Sequence, residues 1–261
     1  LSSTLIRINP MPEFLPQLIQ QLFNGLSLGA IYALIAIGYT MVYGIIGMIN
    51  FAHGEIYMIG AYVGLVTLSA IGTQSGLPVY VIMGLMLLVA VVITGVYGFV
   101  VEQVAYKPVR HGPRLVALIS AIGMSIFLQN WVALGQGARD MAVPSLLPGA
   151  LRFGSESAFE IYIPYTRVMI IVVAVALMIA LTVYIKHSRM GRASRACSQD
   201  MHMANLLGID TNRVISFTFI LGAMLAAVGG VLIALAIGKL NPFIGFLVGI
   251  KAFTAAVLGG I

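Results

Sequence analysis

The chain has 261 residues, 60% of them apolar and 8% charged, with a mean hydropathy of +1.04 and a formal net charge of +6. A soluble domain is roughly 45–50% apolar and about 25% charged, so composition excludes a soluble globular enzyme and a disordered tail. Cys197 is the sole cysteine, which excludes a disulfide scaffold. A basic excess in so apolar a chain reads as the positive-inside asymmetry of a multi-pass membrane protein, not as a nucleic-acid surface.

From the N-terminus, Leu1–Glu13 lacks an apolar run followed by a small-residue cleavage site and reads as a short tail rather than a secretory signal. Spanning helices of about 20 apolar residues are then expected at Gln17–Tyr43, Gly44–Ile71, Val79–Val101, Leu115–Leu134, Val168–Ile185 and Val214–Ile237, with a last one starting near Phe246. Turn chemistry separates them at Gly72–Pro78, Lys107–Pro113 and Gly238–Pro242. The final segment, Lys251–Ile261, stops inside apolar sequence, and further helices are expected beyond it.

Lysine and arginine set the orientation. The loop at 104–114 carries Lys107, Arg110 and Arg114, and the loop at 186–213 carries Lys186, Arg189, Arg192, Arg195 and Arg213 against Asp200 and Asp210. The connection at 135–167 is neutral, with Arg139, Arg152 and Arg167 against Asp140, Glu156 and Glu160. The two basic loops are therefore placed in the cytoplasm and the neutral one outside. Simple alternation puts the N-terminus outside, and a re-entrant segment near Gly44–Gly54 would reverse it.

Within the spans, Gly222, Ala226, Gly230, Ala234 and Gly238 recur every four residues, the spacing of a helix-packing seam. The stretch Gly44–Tyr62 places Asn50, His53 and Glu55 in apolar surroundings dense in glycine. A carboxylate at mid-span costs about 2.5–3.5 kcal/mol on insertion scales, so Glu55 is expected to be paired, protonated, near a helix end or facing a wet cavity. On one helix, Asn50, His53 and Tyr57 would share a face while Glu55 points elsewhere. Two readings stay open for this set: a translocation pathway lined by a broken helix, or a structural hydrogen-bond cluster holding a bend. Lys251 either snorkels to an interface or pairs with Glu55. Ser120, Ser125, Gln129 and Asn130 in the fourth span are expected to bond between helices or line the pathway.

The segment 188–213 is too polar to span. A short helix is expected over Gln199–Leu207, with Ser198 as N-cap, Asp200 in the first turn and Gly208 closing its end, and Thr211 capping the sixth span. Met203, Leu206 and Leu207 give that helix an apolar edge beside basic residues, which marks either a docking surface or a helix lying on anionic lipid.

The runs Tyr39–Tyr62, Ala117–Asn130, Ser188–Arg192 and Lys251–Gly260 resemble the LivH-type permease family of bacterial branched-chain amino acid ABC importers, over about Gln21–Ile261. The resemblance implies an all-α, polytopic membrane helical bundle with broken or re-entrant helices, forming a single permease domain over 1–261. It implies a bacterial inner-membrane location and the uptake of leucine, isoleucine or valine. Its partners would be a second homologous permease, two cytoplasmic ABC ATPases and a periplasmic binding protein, with no nucleic acid. Met203–Ile209 resembles the family's degenerate coupling motif, with Asn205 where a second alanine would stand.

The pathway candidates are thus Asn50, His53, Glu55, Tyr57, Gln129, Asn130 and Lys251. The candidates for ATPase coupling, within the loop 186–213, are Arg192, Arg195, Asp200, Met203, Ala204, Asn205, Leu207, Gly208 and Ile209. No G-x-x-x-x-G-K-[ST] loop occurs, so ATP hydrolysis must come from a partner. His111, His187 and His202 sit in basic loops, and no H-x-x-x-H spacing or acid/base pair is present, so neither a cofactor nor catalysis is expected. The alternatives are a related permease for urea, amides or other amino acids, and an ion-coupled secondary transporter reading Glu55, His53 and Lys251 as its coupling groups.

Overall fold

The computed structural model describes residues 11–72, 75–110, 112–153 and 161–260. Thr73, Gln74, His111, Glu156, Glu160, Ile261 and the tail at 1–10, named above, lie outside the described residues. Six helices are long and apolar enough to cross a membrane: α1 (Met11–Ile46), α2 (His53–Ile71), α3 (Val79–Val101), α4 (Arg114–Gln136), α5 (Tyr165–His187) and, after two short helices, α8 (Thr211–Ile237). The short ones are α6 (Arg189–Gln199) and α7 (Met201–Leu206), and a 15-residue α9 (Ile244–Leu258) follows α8.

The helix starts follow local chemistry. Pro78, Pro113 and Pro164 each precede a spanning helix with φ near −57°. A proline there has no N–H to leave unpaired, and its carbonyl takes the first helical bond, as in Val81 N–H to Pro78 at 2.9 Å. The last turn of α3 widens into a π-helical segment, Glu102–Tyr106, closed by Lys107 N–H donating to the Glu102 carbonyl at 2.8 Å.

Two helices form the interior. Within their apolar windows α2 and α8 are each 67% buried, against 28% for α3 and α4 and 17% for α5. The small-residue seam of α8 explains how they approach. A Cβ added at Gly60 would lie 2.5 Å from the Ala227 Cα, and one at Gly230 would strike the Tyr57 carbonyl. Gly222 faces Gly38 of α1. Between helices in lipid there is no apolar burial to gain over the tails, so backbone proximity of this kind carries the packing.

Two small ribbons, not anticipated from hydropathy, decorate one end of the bundle. β1 (Met141–Ala142) pairs antiparallel with β4 (Lys239–Leu240), and β2 (Ala150–Phe153) with β3 (Ile161–Pro164). The Gln20 side chain donates to the Tyr162 carbonyl and accepts from its N–H, both at 2.8 Å, which ties the start of α1 to that end. α5 runs from β3 to α6, so the ribbons and the basic segment at 189–210 lie a helix length apart, about 34 Å at 1.5 Å per residue.

The expected second span at Gly44–Ile71 is corrected. α1 continues to Ile46, Gly47 turns the chain at φ +69°, and α2 begins only at His53. The expected helix over Gln199–Leu207 is corrected as well. α6 starts at Ser188, whose hydroxyl accepts from Gly191 N–H at 2.8 Å, and ends at Gln199. Asp200, not Ser198, is the N-cap of α7, accepting from Met203 N–H at 2.9 Å, and Ser198 instead donates to the Arg195 carbonyl. Asp210, not Thr211, caps α8 through Arg213 N–H. Gly208 does close α7, at φ +85°. Ile209 N–H reaches the Ala204 carbonyl at 3.1 Å and Gly208 N–H that of Asn205 at 3.0 Å, the paired bonds of a Schellman motif.

Candidate functional site

The break between α1 and α2 decides where the polar residues go. Glycine at 47 supplies the left-handed turn, and the chain then folds back so that α2 starts inside the bundle, with His53 against Gly38, in the body of α1, and Gly222 of α8. Gly54 meets the backbones of Gly245 and Gly249 of α9, where a side chain on either would collide. Asn50, His53, Glu55 and Tyr57 are all at most 2% exposed.

Each of these groups meets a different element. The Asn50 Oδ1 accepts from the Tyr106 hydroxyl at 2.8 Å, joining the break to the π-helical turn of α3. The His53 ring packs edge-on against Tyr39, centroids 4.8 Å apart. Glu55 turns toward α4, where its Oε1 accepts from Gln129 Nε2 at 2.7 Å and from Ser125 Oγ at 3.1 Å. Its Oε2 has no hydrogen-bond partner, and a Cβ added at Gly245 would lie 2.6 Å from it. The Tyr57 hydroxyl, the Asn50 amide nitrogen and His53 Nε2 are likewise without partners among the described residues.

Over Gly245, Ser125 and Gln129 lies a cavity of about 330 Å³ between α4 and α9, walled by Phe51, Ile126, Phe246 and Phe253. Its surface is apolar apart from Ser125 and Gln129, so its chemistry suits an aliphatic group beside one polar anchor.

The structure brings Glu55, Gln129 and Ser125 together and sets other expected residues apart. Asn50 precedes α2, so it shares no helical face with His53 and Tyr57, the local chain being irregular there. Asn130 donates to the Ile126 carbonyl of its own helix and is exposed. Ser120 donates to the Ala105 carbonyl. Lys251 is exposed on α9, and the Glu55 carboxylate is held by Ser125 and Gln129, so the expected Glu55–Lys251 pair is corrected. A neutral clamp removes the need for a cation that would itself have to be buried.

Sequence reasoning missed Glu102. Its carboxylate is 1% exposed, accepts from Ser216 Oγ at 2.8 Å and Gln103 Nε2 at 2.5 Å, and has Arg110 at 3.9 Å. Arg110 also bonds Asn212 near the start of α8. An acid one turn before a basic loop was the available signal.

At the cytoplasmic-type segment, Met203, Leu206 and Leu207 form the exposed apolar edge expected of α7, Leu207 at 76% exposure. Ala204 is buried and Asn205 exposed. Arg192 and Arg195 reach back instead, donating to the carbonyls of His187 at 3.0 Å and Ile185 at 2.7 Å, where cations suit the end of α5. Burial pushes the pKa of the Cys197 thiol in α6 up.

Comparison with known proteins gives one consistent result. A family model described as branched-chain amino acid transport system, permease component, matches residues 21–261. The high-affinity branched-chain amino acid transport system permease protein LivH of Escherichia coli is 54% identical over 254 residues, 96% of this chain and 82% of the relative. The corresponding protein BraD of Pseudomonas aeruginosa is 53% identical over 251 residues, 96% of this chain and 81% of its own. A probable LivH of Methanocaldococcus jannaschii is 26% identical over 236 residues, 87% of this chain and 70% of the relative. No solved structure matches the chain.

Proposed function

The chain belongs to the branched-chain amino acid transport system permease family, and on that premise we propose that it is the membrane-spanning subunit of an ATP-driven importer of leucine, isoleucine and valine in a bacterial inner membrane. Two ABC ATPases, a second permease and a periplasmic binding protein complete the machine. The observation that carries the reading is a helix starting inside the bundle with a buried carboxylate in its first turn, an arrangement a lipid-exposed span could not hold.

The pathway passes the break between α1 and α2, with Glu55 and Gln129 at its wall and His53, Asn50 and Tyr57 holding the break in shape. Lys251 and Asn130 lie on exposed faces that a second permease could cover.

α7 is the coupling lever. Its exposed edge of Met203, Leu206 and Leu207 offers an ATPase a docking face, while Asp200, Gly208, Ile209 and Asp210 articulate it onto α8 through capping bonds. Asn205 is exposed on the same short helix and Ala204 anchors it inward. Because α8 is packed against α2 and against Gly38 through Gly222, a push on α7 travels along a rigid helix to the start of α2. Arg192 and Arg195 keep α6 fixed to α5, so that α7 moves against a stable neighbour.

The test is uptake by the assembled complex in proteoliposomes. Leucine should accumulate only with ATP inside and binding protein outside, and Gly208→Arg should abolish uptake while the complex still assembles. Accumulation by this chain alone, driven by an ion gradient, would overturn the reading.

A further inference from the structure

Glu55 poses a specific chemical question. One carboxylate oxygen accepts two hydrogen bonds, from Ser125 and Gln129, and the other accepts none while fully buried. A buried carboxylate oxygen without a donor is costly unless something supplies one. That oxygen lies against Gly245, the one lining position where the absent side chain leaves the backbone as the only cover. Directly over Gly245, Ser125 and Gln129 is the 330 Å³ cavity, whose remaining walls are phenylalanine, isoleucine and leucine. No lysine, arginine or histidine lines it.

We propose that this cavity between α4 and α9 is an occluded subsite for an amino acid, whose α-ammonium group donates to Glu55 Oε2 and whose aliphatic side chain lies against Phe51, Ile126, Phe246 and Phe253. It rests on the transport reading above and adds the substrate contact. The chemistry fits at each end: an ammonium supplies the donors that the bare oxygen lacks, and a charge-assisted bond is the strong kind in a site shielded from water. An aliphatic group has apolar walls and no polar group to leave unpaired. In the present arrangement Gly245 closes the oxygen off, so α9 must shift away from Gly54 for the ammonium to reach it.

Glu55→Gln separates this role from a structural one. The amide carbonyl can still accept from Ser125 and Gln129 and keep α2 clamped to α4, and only the negative charge is lost. In the full complex with its binding protein, E55Q is expected to keep its melting temperature and binding-protein-stimulated ATP hydrolysis while leucine uptake falls by about tenfold or more. Ile126→Trp, which fills the cavity from its exposed side, should also lose uptake, and Ile119→Trp, on the same helix outside the cavity, should not. In the complex without binding protein, leucine should slow maleimide labelling of an Ile126→Cys variant, and 4-methylpentanoate, which lacks the ammonium, should not. Wild-type uptake by E55Q, or equal protection by the two ligands, would overturn the subsite and leave the transport reading standing. Failure of the wild-type complex to take up leucine would overturn the transport reading itself.

Discussion

The start of α2 and the helix α7 depart from their surroundings in opposite ways. The first is polar where everything around it is apolar, and the second is apolar where the chain has left the membrane. The start of α2 is held by backbone contact: Gly38, Gly54, Gly222, Gly230 and Gly245 let main chains touch where side chains would not fit. α7 is held by local bonds at its ends, from Asp200 at one side and the Schellman pair at the other. Rigid, sealed packing suits a site that must exclude water and lipid. Local capping lets a short element move as one piece without disturbing the bundle. Each anomaly is therefore supported by the kind of interaction its role requires.

The sharpest way to break that contrast is to put a side chain into the packed region. Gly230→Leu should prevent folding or assembly altogether, read as loss of a monodisperse peak in detergent, because its Cβ would meet the Tyr57 carbonyl and the Ala61 amide. Removing one hydrogen bond there should cost far less. Tyr106→Phe leaves Asn50 without a partner and should lower stability by about 1 kcal/mol, measured by thermal unfolding.

In the capped region Asp200→Ala should cost about 1 kcal/mol or less of local stability, read as faster amide exchange in α7 with little change in global unfolding. Leu207→Glu should be within about 0.5 kcal/mol of wild type in stability yet lose co-purification of the ATPase, since that side chain is exposed. The smallest effect concerns Cys197. Its buried thiol, with pKa raised, carries less thiolate at neutral pH, so alkylation should be slow and should quicken as pH rises or on unfolding.

Much of this was legible in the residues. Hydropathy located six spans, and the third, Val79–Val101, matches α3 at both ends because Pro78 starts it. Gly208 announced the end of α7 because only a left-handed residue closes a helix that way. The α1–α2 break was not legible as such, since Ile45, Ile46, Met48 and Ile49 continue the apolar run through it and a hydropathy window cannot register a chain that folds back. Ser125 and Gln129 were readable as hydrogen-bonding groups, but their partner is 70 or more residues away and is fixed only by packing. The choice between Ser188 and Ser198 as a cap was likewise non-local. Gly191 lies against the backbone of Ile185, and that corner sets where α6 begins.

The π-helical segment at the foot of α3 amounts to one residue more than an α-helix of the same rise requires. Each residue turns a helix by about 100°, so shortening Glu102–Tyr106 by one would regularise the ladder and swing everything after it around the axis. Tyr106 would then face away from Asn50, and Arg110 away from Asn212. A single-residue deletion that makes the helix more regular should thus unfasten both ends of the same strut.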